Sequence, residues 1–284
     1  MDRSDRVGSS LQAGGTEEET LRLAKLKWMH LAAFLFFLVQ TIIYSAMPAS
    51  ARVNPSIYIN GCEGDSCDGP IQLTAIKHLG EVNCIFLIPL FVGLASFDHL
   101  VSFIVCQHYE RTARKWIFEI GSNPFRWIEY SISASIMAVA ISILTGVSDV
   151  HLWLLIFFMH AVGMGFGQII ELVPKKELPV SGPVLFSTLR SLGWWLGAIS
   201  ILVPWLVMLC YFFKDISSDM PDFVYAAFLG TLVLFGTFGL NSYAHNVLGW
   251  YDFATAEYVY IILSFTAKTF LAADVFGGLN ASSD

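Results

Sequence analysis

The chain has 284 residues, of which 55% are hydrophobic and 14% charged, and its mean hydropathy is +0.62. Soluble domains carry about 25% charged residues, so this composition argues against a soluble enzyme, and an aromatic content of 14% argues against a disordered chain. The net charge of −7 disfavours nucleic acid as a partner. A polytopic membrane protein, with the lipid bilayer as its surroundings, fits these numbers.

A polar segment, residues 1–27, precedes the first apolar run. Both this segment and the apolar run that follows it are too long for a cleavable signal peptide. Three glutamates at 17–19 are followed by Leu21, Leu23 and Leu26, which suggests an amphipathic approach to a first helix. We interpret the segment as a mobile N-terminal tail.

Seven apolar runs follow, and each approaches or exceeds the ~20 residues that a helix needs to cross the hydrocarbon core. They are Trp28–Met47, Val82–Cys106, Ile117–Leu144, His151–Ile170, Leu192–Phe213, Phe223–Ala244 and Tyr258–Phe276. The runs are continuous rather than alternating, which excludes a closed barrel, and no repeat supports an inverted-repeat transporter. The sequence therefore predicts one all-α, seven-helix membrane domain at 28–278, with a long loop at 48–80 and a short tail at 279–284.

Positive charges are distributed unevenly between the two sides of the predicted bundle. The N-terminal tail and the second and fourth connections carry 12 lysines and arginines, whereas the opposite side carries 3. Because lysine and arginine concentrate in cytoplasmic loops, we expect a multi-pass integral membrane protein with a cytoplasmic N-terminus and an extracellular C-terminus.

Two cysteines, Cys62 and Cys67, flank a short Gly/Asp turn in the long loop. A disulfide between them requires an oxidising compartment, which agrees with an extracellular position. Two unpaired loop thiols are the alternative interpretation.

Lys268 lies near the middle of the last predicted helix, too far from either end to reach water easily. A charged lysine at that depth costs about 2.5–3.5 kcal/mol on the insertion scale. Two kinds of chemistry justify such a residue: an amine made neutral by burial, or an amine bonded to an aldehyde as a Schiff base. A structural ion pair with a carboxylate is the third interpretation.

A carboxylate is available at a similar predicted depth. Glu129 lies about 12 residues into the third run and Lys268 about 10 residues into the seventh, which at ~1.5 Å per residue places both roughly 15–18 Å deep. Glu129 would then act as the counterion that keeps a protonated Schiff base charged. The alternative partner for Glu129 is Arg126, three residues earlier on the same helix.

Further polar residues lie within the predicted helices. Ser264 precedes Lys268 by one turn and can hydrogen-bond either the buried nitrogen or its own helix backbone. His30 and His99 lie in the cytoplasmic halves of their helices, where either could accept a proton; a satisfied structural histidine is the alternative for each. The remaining intramembrane polar residues of interest are Asp98 and His160.

The sequence resembles a known family, the heliorhodopsins, which are retinal-binding seven-helix photoreceptors with inverted orientation. The resemblance covers about residues 25–278. Its most specific parts are Asn123-Pro-Phe-Arg-Trp-Ile-Glu-Tyr-Ser131 and Leu263-Ser-Phe-Thr-Ala-Lys268. The segments Val203-Pro-Trp205 and Phe223-Val-Tyr225 also resemble the family pattern.

The resemblance implies roles for the matching residues. Lys268 would carry retinal, all-trans in the dark, as a protonated Schiff base, and Glu129 would be its counterion. Ser264 occupies the place where pumping rhodopsins usually keep a second carboxylate, and His30 and His99 match the histidines of a polar cavity. The family also implies a homodimer with a contact from the long loop, and it leaves the downstream signalling partner open.

Other positions of the pattern are implied by the resemblance alone. The further polar positions are Asn123, Tyr130 and Glu171. The candidate walls of the retinal pocket are Trp195, Trp205, Phe235 and Phe238, whose alternative is ordinary packing. Gly163 and Gly165 make the fourth helix slim near the expected ring.

Asp98 and His160 depart from the family pattern. They add titratable groups to a fold that usually lacks a transmembrane proton path, and thereby support a light-driven or light-gated proton transporter as the alternative function. The main expectation is a light sensor with a slow photocycle, and not an enzyme.

Two more distant functions are weakly supported. A metal hydrolase would use Asp98, His99, His160 and His245, but these lack a tight ligand spacing, so we expect no metal site. A chemoreceptor for a diffusible ligand would leave Lys268 without a purpose.

Overall fold

The computed structural model describes residues 16–46, 56–62, 73–82, 84–174, 188–214 and 221–281. Its helices are α1 (Glu17–Ala46), α2 (Cys84–His108), α3 (Glu110–Arg114), α4 (Pro124–Leu144), α5 (Val150–Leu172), α6 (Leu189–Lys214), α7 (Asp222–Asn246) and α8 (Phe253–Ala281). Within the described ranges, seven helices, all except α3, are long and apolar enough to cross a membrane. The predicted seven-helix, multi-pass architecture is confirmed.

The two ends of the bundle differ in what they carry. The helices α1, α4, α6 and α8 begin at one end, which we call the N-side. The opposite end, the hairpin side, carries two antiparallel strands, β1 (Ser56–Cys62) and β2 (Leu73–Glu81). The backbone N–H of Tyr58 in β1 donates to the carbonyl of Ser148 at 3.1 Å, which ties the hairpin to the start of α5.

The sequence predicted only a loop at 48–80, because two short strands have no periodic signal comparable to a membrane span. Cys62 is the last residue of β1, whereas Cys67 lies outside the described residues. The disulfide between them stays a prediction.

The first helix begins earlier than the sequence predicted. Thr16 Oγ1 accepts the backbone N–H of Glu19 at 3.2 Å, and Glu19 Oε2 accepts the N–H of Thr16 at 3.1 Å. This reciprocal arrangement is a capping box, which satisfies two donors that a helix start otherwise leaves unpaired. The helix α1 therefore includes the predicted amphipathic approach at Leu21, Leu23 and Leu26, and the boundary at 27 between tail and membrane domain stays a prediction.

Contacts on the N-side attach the extended α1 to the rest of the bundle. Arg22 forms ion pairs with Glu18 on its own helix and with Asp252, just before α8. Partial burial by itself raises the pKa of Asp252, but hydrogen bonds from Thr255 and the nearby Arg22 outweigh it and hold that pKa below its ordinary value. Arg114 in α3 also donates to Thr20 Oγ1 at 2.9 Å.

The third predicted span begins in the wrong place. The segment Lys115–Ile120, predicted to belong to it from Ile117 onwards, is a π-helical turn that ends at Gly121, whose φ is 72°. Glycine adopts this left-handed conformation without a steric cost. Asn123 then caps α4 by accepting the N–H of Arg126, and Pro124 opens the helix.

An apolar core runs along the bundle axis. It includes fully buried side chains from all seven spans, namely Phe37, Ile88, Met137, Ile156, Met208, Phe228 and Leu271. In a bilayer such side chains hold helices together by close packing rather than by removal from water. Leu271 follows Lys268 by three residues, so this packing helps to fix the face of α8 that points inward.

Candidate functional site

Lys268 Nζ lies among polar groups in the bundle interior. It is 2.9 Å from Glu129 Oε1 and 3.1 Å from Glu129 Oε2, and it lies 3.1 Å from Ser264 Oγ. The ring centre of Tyr130 is 4.9 Å away, within the range of a cation–π contact. Lys268 and Glu129 are only 3% and 7% exposed. The amine therefore has a buried carboxylate partner and a hydroxyl partner.

The ion pair forms although the depth arithmetic behind it was wrong. Glu129 lies in the second turn of α4, because α4 begins at Pro124, whereas Lys268 lies past the middle of α8. Side chains on a helix point back toward its N-terminus, and the contact with Ser264, four residues earlier, shows that the lysine stem does so. Glu129 and Lys268 therefore lie at different positions along their helices. The amine still reaches the carboxylate, because the lysine stem is long and α4 starts later than predicted.

A cavity of about 440 Å³ lies beside Lys268 and is bounded by α4, α5, α6, α7 and α8. The residues predicted to form the site that do line it are Tyr130, Trp205, Phe235, Phe238, Ser264 and Lys268. Trp127, Met137 and Met164 line it as well, although the sequence analysis did not select them. The cavity is thus largely apolar, with an amine in its wall.

Trp195 does not line the cavity, and its neighbour Trp194 does. Successive residues on a helix point about 100° apart, so an assignment that is off by one residue selects the wrong face. Trp194 Nε1 donates to the carbonyl of Gly239 at 2.9 Å, which fixes its ring against α7. The rings of Trp194 and Trp195 lie 4.9 Å apart, edge to face.

Glycines in the cavity wall allow the neighbouring helices to pack closely. A Cβ on Gly163 would lie 2.5 Å from the Ile201 side chain, and a Cβ on Gly167 would lie 2.1 Å from the Trp127 ring. Gly163 thus makes α5 slim as predicted, but Gly165 does not, because it does not line the cavity and a Cβ there would meet nothing within 4 Å.

His160 lies behind the cavity wall rather than in it. Its Nδ1 is 2.9 Å from the carbonyl of Ile156, one turn earlier on α5, so Nδ1 carries the proton in the neutral ring. Its ring packs edge to face against Trp205 and Phe235, at 6.5 and 6.1 Å between ring centres. His160 is fully buried.

A network of buried charged side chains lies at the N-side of the bundle. Arg126 forms ion pairs with both Glu171 and Glu257, and not with Glu129. Trp127 Nε1 donates to Glu171 at 2.7 Å, and Asn123 Nδ2 donates to Glu257 at 2.6 Å. Arg126 is therefore not the partner that the sequence offered for Glu129.

The sequence analysis did not select Arg126 or Glu257 as site residues. The seventh span was predicted to begin at Tyr258, which placed Glu257 in a loop, whereas α8 begins at Phe253. A carboxylate in the first turns of a helix is a common N-terminal signal, and it could have moved the predicted start back.

A second polar cluster lies between α1 and α2. The Nδ1 atoms of His30 and His99 are 3.0 Å apart, so one ring donates a hydrogen bond to the other. The ring of Phe37 stacks on His99 at 5.6 Å, with an interplanar angle of 5°. Asp98 is buried next to this pair, with its Oδ2 3.9 Å from His99 Nδ1.

Comparison with known protein families identifies the chain. The family model for Heliorhodopsin matches residues 26–279, which is nearly the whole of it. The chain belongs to the heliorhodopsin family. A search of curated protein sequences gives no significant match to this heliorhodopsin.

Solved structures share the fold of this heliorhodopsin at low sequence identity. Xanthorhodopsin, described as a light-driven ion pump with dual chromophore, is 15% identical, with a TM-score of 0.55 and 93% of each chain covered. The light-driven proton pump of Leptosphaeria maculans is 11% identical, with a TM-score of 0.55 and coverages of 95% and 98%. Exiguobacterium sibiricum rhodopsin is 12% identical, with a TM-score of 0.52 and coverages of 94% and 97%. At these identities the likeness establishes the rhodopsin fold alone.

Membership of the heliorhodopsin family implies a retinal chromophore, and the cavity fits one. Its volume lies within the roughly 300–1,000 Å³ of ligand pockets, and its walls are mainly aromatic, aliphatic and glycine residues. Gly236 lines the cavity, and a Cβ there would meet no atom within 4 Å. The primary amine of Lys268 supplies the one group needed to bond an aldehyde.

The metal hydrolase considered from the sequence has no support in this heliorhodopsin. Among the described residues, no group of three or more His, Cys, Asp or Glu side chains could hold a metal ion. His245, one of the four residues named for such a site, has its Nδ1 2.8 Å from the carbonyl of Tyr251 on the N-side.

Proposed function

We propose that this heliorhodopsin is a retinal-binding light sensor with a slow photocycle, which signals rather than pumps ions strongly. One observation carries the proposal: the buried Lys268 amine lies against an apolar cavity and is paired with Glu129 at 2.9 Å. A buried lysine is costly in a membrane, and a covalent link to an apolar chromophore gives it a purpose.

Each residue of the site has a task in this account. Lys268 Nζ holds the chromophore as a protonated Schiff base, and Glu129 is the counterion. Ser264 accepts a hydrogen bond from the nitrogen. Four of the residues that line the pocket define its shape: Tyr130, Trp205, Phe235 and Phe238. The last three also exclude water. Retinal, when bound, supplies absorption of visible light and a double bond that isomerises, starting from the all-trans form in the dark.

The polar residues on the N-side supply places for a displaced proton. The candidates are the His30–His99 pair and the carboxylates held by Arg126 and Asn123. Histidine titrates near neutral pH in water, and a change of charge in such a cluster biases helix positions on the slow timescale of conformational switching.

The hairpin side offers less for proton transfer. Beyond Lys268, the described helix α8 carries one carboxyl group, Asp274, which is half-buried. Gln40 donates to Thr269 Oγ1 at 2.9 Å, so α1 and α8 are joined there by neutral groups. A net pump needs both an acceptor and a donor on opposite sides, and this asymmetry favours exchange with the N-side alone.

The positive charge on the N-side supports a cytoplasmic position for that end, with the C-terminus outside. The resemblance supports a homodimer with a contact from residues 48–80. A light-driven or light-gated proton transporter is the second candidate, and Asp274 is the observation in its favour.

Light-induced currents distinguish the two functions. In voltage-clamped cells that express the retinal-loaded chain, a sensor gives a brief charge movement that decays under continuous light. A sustained current that Asp274→Asn abolishes would establish the transporter instead. Flash spectroscopy on the same protein measures the photocycle, which we expect to recover far more slowly than that of a proton pump.

A further inference from the structure

Asp98 is buried, and no residue of the described ranges donates a hydrogen bond to it. It is 7% exposed, and its Oδ1 has no hydrogen-bond partner among the described residues. Its Oδ2 lies 3.9 Å from His99 Nδ1, too far for a hydrogen bond. Neither carboxylate oxygen therefore has the donors that an anion needs in a site of low dielectric constant.

Among the neighbouring charges, Glu129 disfavours an ionised Asp98, whereas the cations Lys268 and Arg126 favour it. Asp98 on α2 faces Glu129 and Arg126 on α4 and Lys268 on α8, and all three are close enough to act on it electrostatically. On its own helix and on α1 it has His99 and His30. Lys268 already contacts Glu129, and Arg126 already contacts two carboxylates, so neither cation is free for Asp98.

The charges of the buried network can be compared directly. Two cations, Lys268 and Arg126, are surrounded by four carboxyl groups, and all six are buried. The carboxyl groups are Asp98, Glu129, Glu171 and Glu257. If all four were ionised, the membrane interior would hold an excess of two negative charges. Protons on some of these groups, or on the two histidines, reduce that excess.

Asp98 is the carboxyl group least able to remain ionised. Glu129 has Lys268, Glu171 has Arg126 and Trp127, and Glu257 has Arg126 and Asn123. Each of these anions accepts a hydrogen bond from, or contacts, at least one donor. Asp98 has none among the described residues, so protonating it removes the costliest charge first.

We propose that Asp98 is a proton-storage site, a neutral carboxylic acid buried beside the His30–His99 pair and within electrostatic reach of the Lys268–Glu129 ion pair. The stored proton can move from the carboxyl of Asp98 to a ring nitrogen of His99, which leaves a carboxylate beside an imidazolium; charge and atoms are conserved. In the resting protein, where Asp98 holds its proton, Lys268 has one ionised carboxyl group near it rather than two. The site belongs to the chain itself and does not depend on the proposed function.

Infrared spectroscopy of the full chain, purified in lipid without retinal, tests the proposal. A protonated carboxyl group has a carbonyl stretching band well separated from the amide bands, and exposed aspartates are ionised at neutral pH. We expect one buried-acid band at pH 7 that moves when all aspartates carry carbon-13 in the carboxyl group. The same labelling of glutamate should leave it in place. This measurement uses the unaltered sequence, so it does not depend on the folding of a variant.

Two substitutions identify the residue. Asp98→Asn should abolish the band, and the matched change Asp274→Asn, on the hairpin side of the same membrane domain, should leave it. The absence of an aspartic acid band at pH 7, or an aspartic acid band that survives unchanged in Asp98→Asn, would overturn the proposal.

Discussion

A single buried amine determines the character of the site. Lys268 is held by Glu129 and Ser264 and lies against the Tyr130 ring, so three different kinds of partner surround its charge. Removing one partner of such a buried pair leaves an uncompensated charge. Substitutions at these positions therefore report on the chromophore more directly than substitutions elsewhere.

Glu129→Gln should shift the visible absorption band to longer wavelength. The carboxylate stabilises the positive charge near Lys268 in the ground state, and the neutral amide of glutamine does so less well. Absorption spectra of the two retinal-loaded proteins at pH 7 measure the shift.

Glu171→Gln is the matched control for this shift. Glu171 is a buried glutamate that pairs with Arg126 and is not in contact with Lys268. We expect a small spectral change from it. An equal shift in both variants, or none in Glu129→Gln, would contradict the assignment of Glu129 as the counterion.

Arg126→Ala should destabilise the protein by roughly 3–5 kcal/mol, because it leaves the buried Glu171 and Glu257 without their cation. Arg114→Ala is the control, since its partners Glu110, Glu19 and Thr20 lie at the surface, and about 0–1 kcal/mol is expected for an exposed ion pair. Denaturant titration in detergent measures both free energies of unfolding. Similar losses in the two variants would show that the N-side network does not stabilise the bundle as described.

The helices illustrate which features a sequence pattern can predict. Long apolar runs predicted all seven spans, because every residue of a span must avoid water and the signal accumulates over some 20 positions. The ends were less accurate. Gly121 breaks the third run by a local conformation, and a capping box extends α1 to Glu17, and neither effect changes hydrophobicity.

The sequence predicted the polar residues of the site, but it did not always select the correct helix face for the aromatic residues. Lys268, Ser264 and Glu129 were selected because their polarity contrasts with their surroundings, and the structure brings them together. Aromatic residues have no such contrast in a membrane helix. This explains why Trp195 was chosen where Trp194 lines the cavity.

The cavity between the helices gives a prediction at this scale. Gly236→Leu should reduce the rate of retinal uptake, because Gly236 lines the cavity and a side chain there extends into open space. Colour development after retinal is added to the purified chain measures this rate.

Gly165→Leu is the matched control for the cavity. It is also a glycine within a helix with open space around its Cβ, but it does not line the cavity. Both changes gain about 1 kcal/mol or less in helix propensity, so that effect is shared. Equal uptake in the two variants would show that the cavity is not the binding site.

The whole molecule is asymmetric along the membrane normal. Titratable residues are concentrated from the Lys268–Glu129 pair toward the N-side, where Arg126, Glu171 and Glu257 form the buried network. On the hairpin side, a backbone hydrogen bond from Tyr58 in β1 to Ser148 attaches the hairpin just before α5. This arrangement suits a protein that stores and exchanges protons at one face.

The visible spectrum of the purified chain, with and without Lys268, tests the central claim most directly. The protein is expressed with all-trans retinal, and Lys268→Ala is prepared in parallel, with circular dichroism to verify that both are helical. The account predicts a visible absorption band in the unaltered protein and none in the variant. A colourless unaltered protein, or a band of equal intensity in Lys268→Ala, would contradict it.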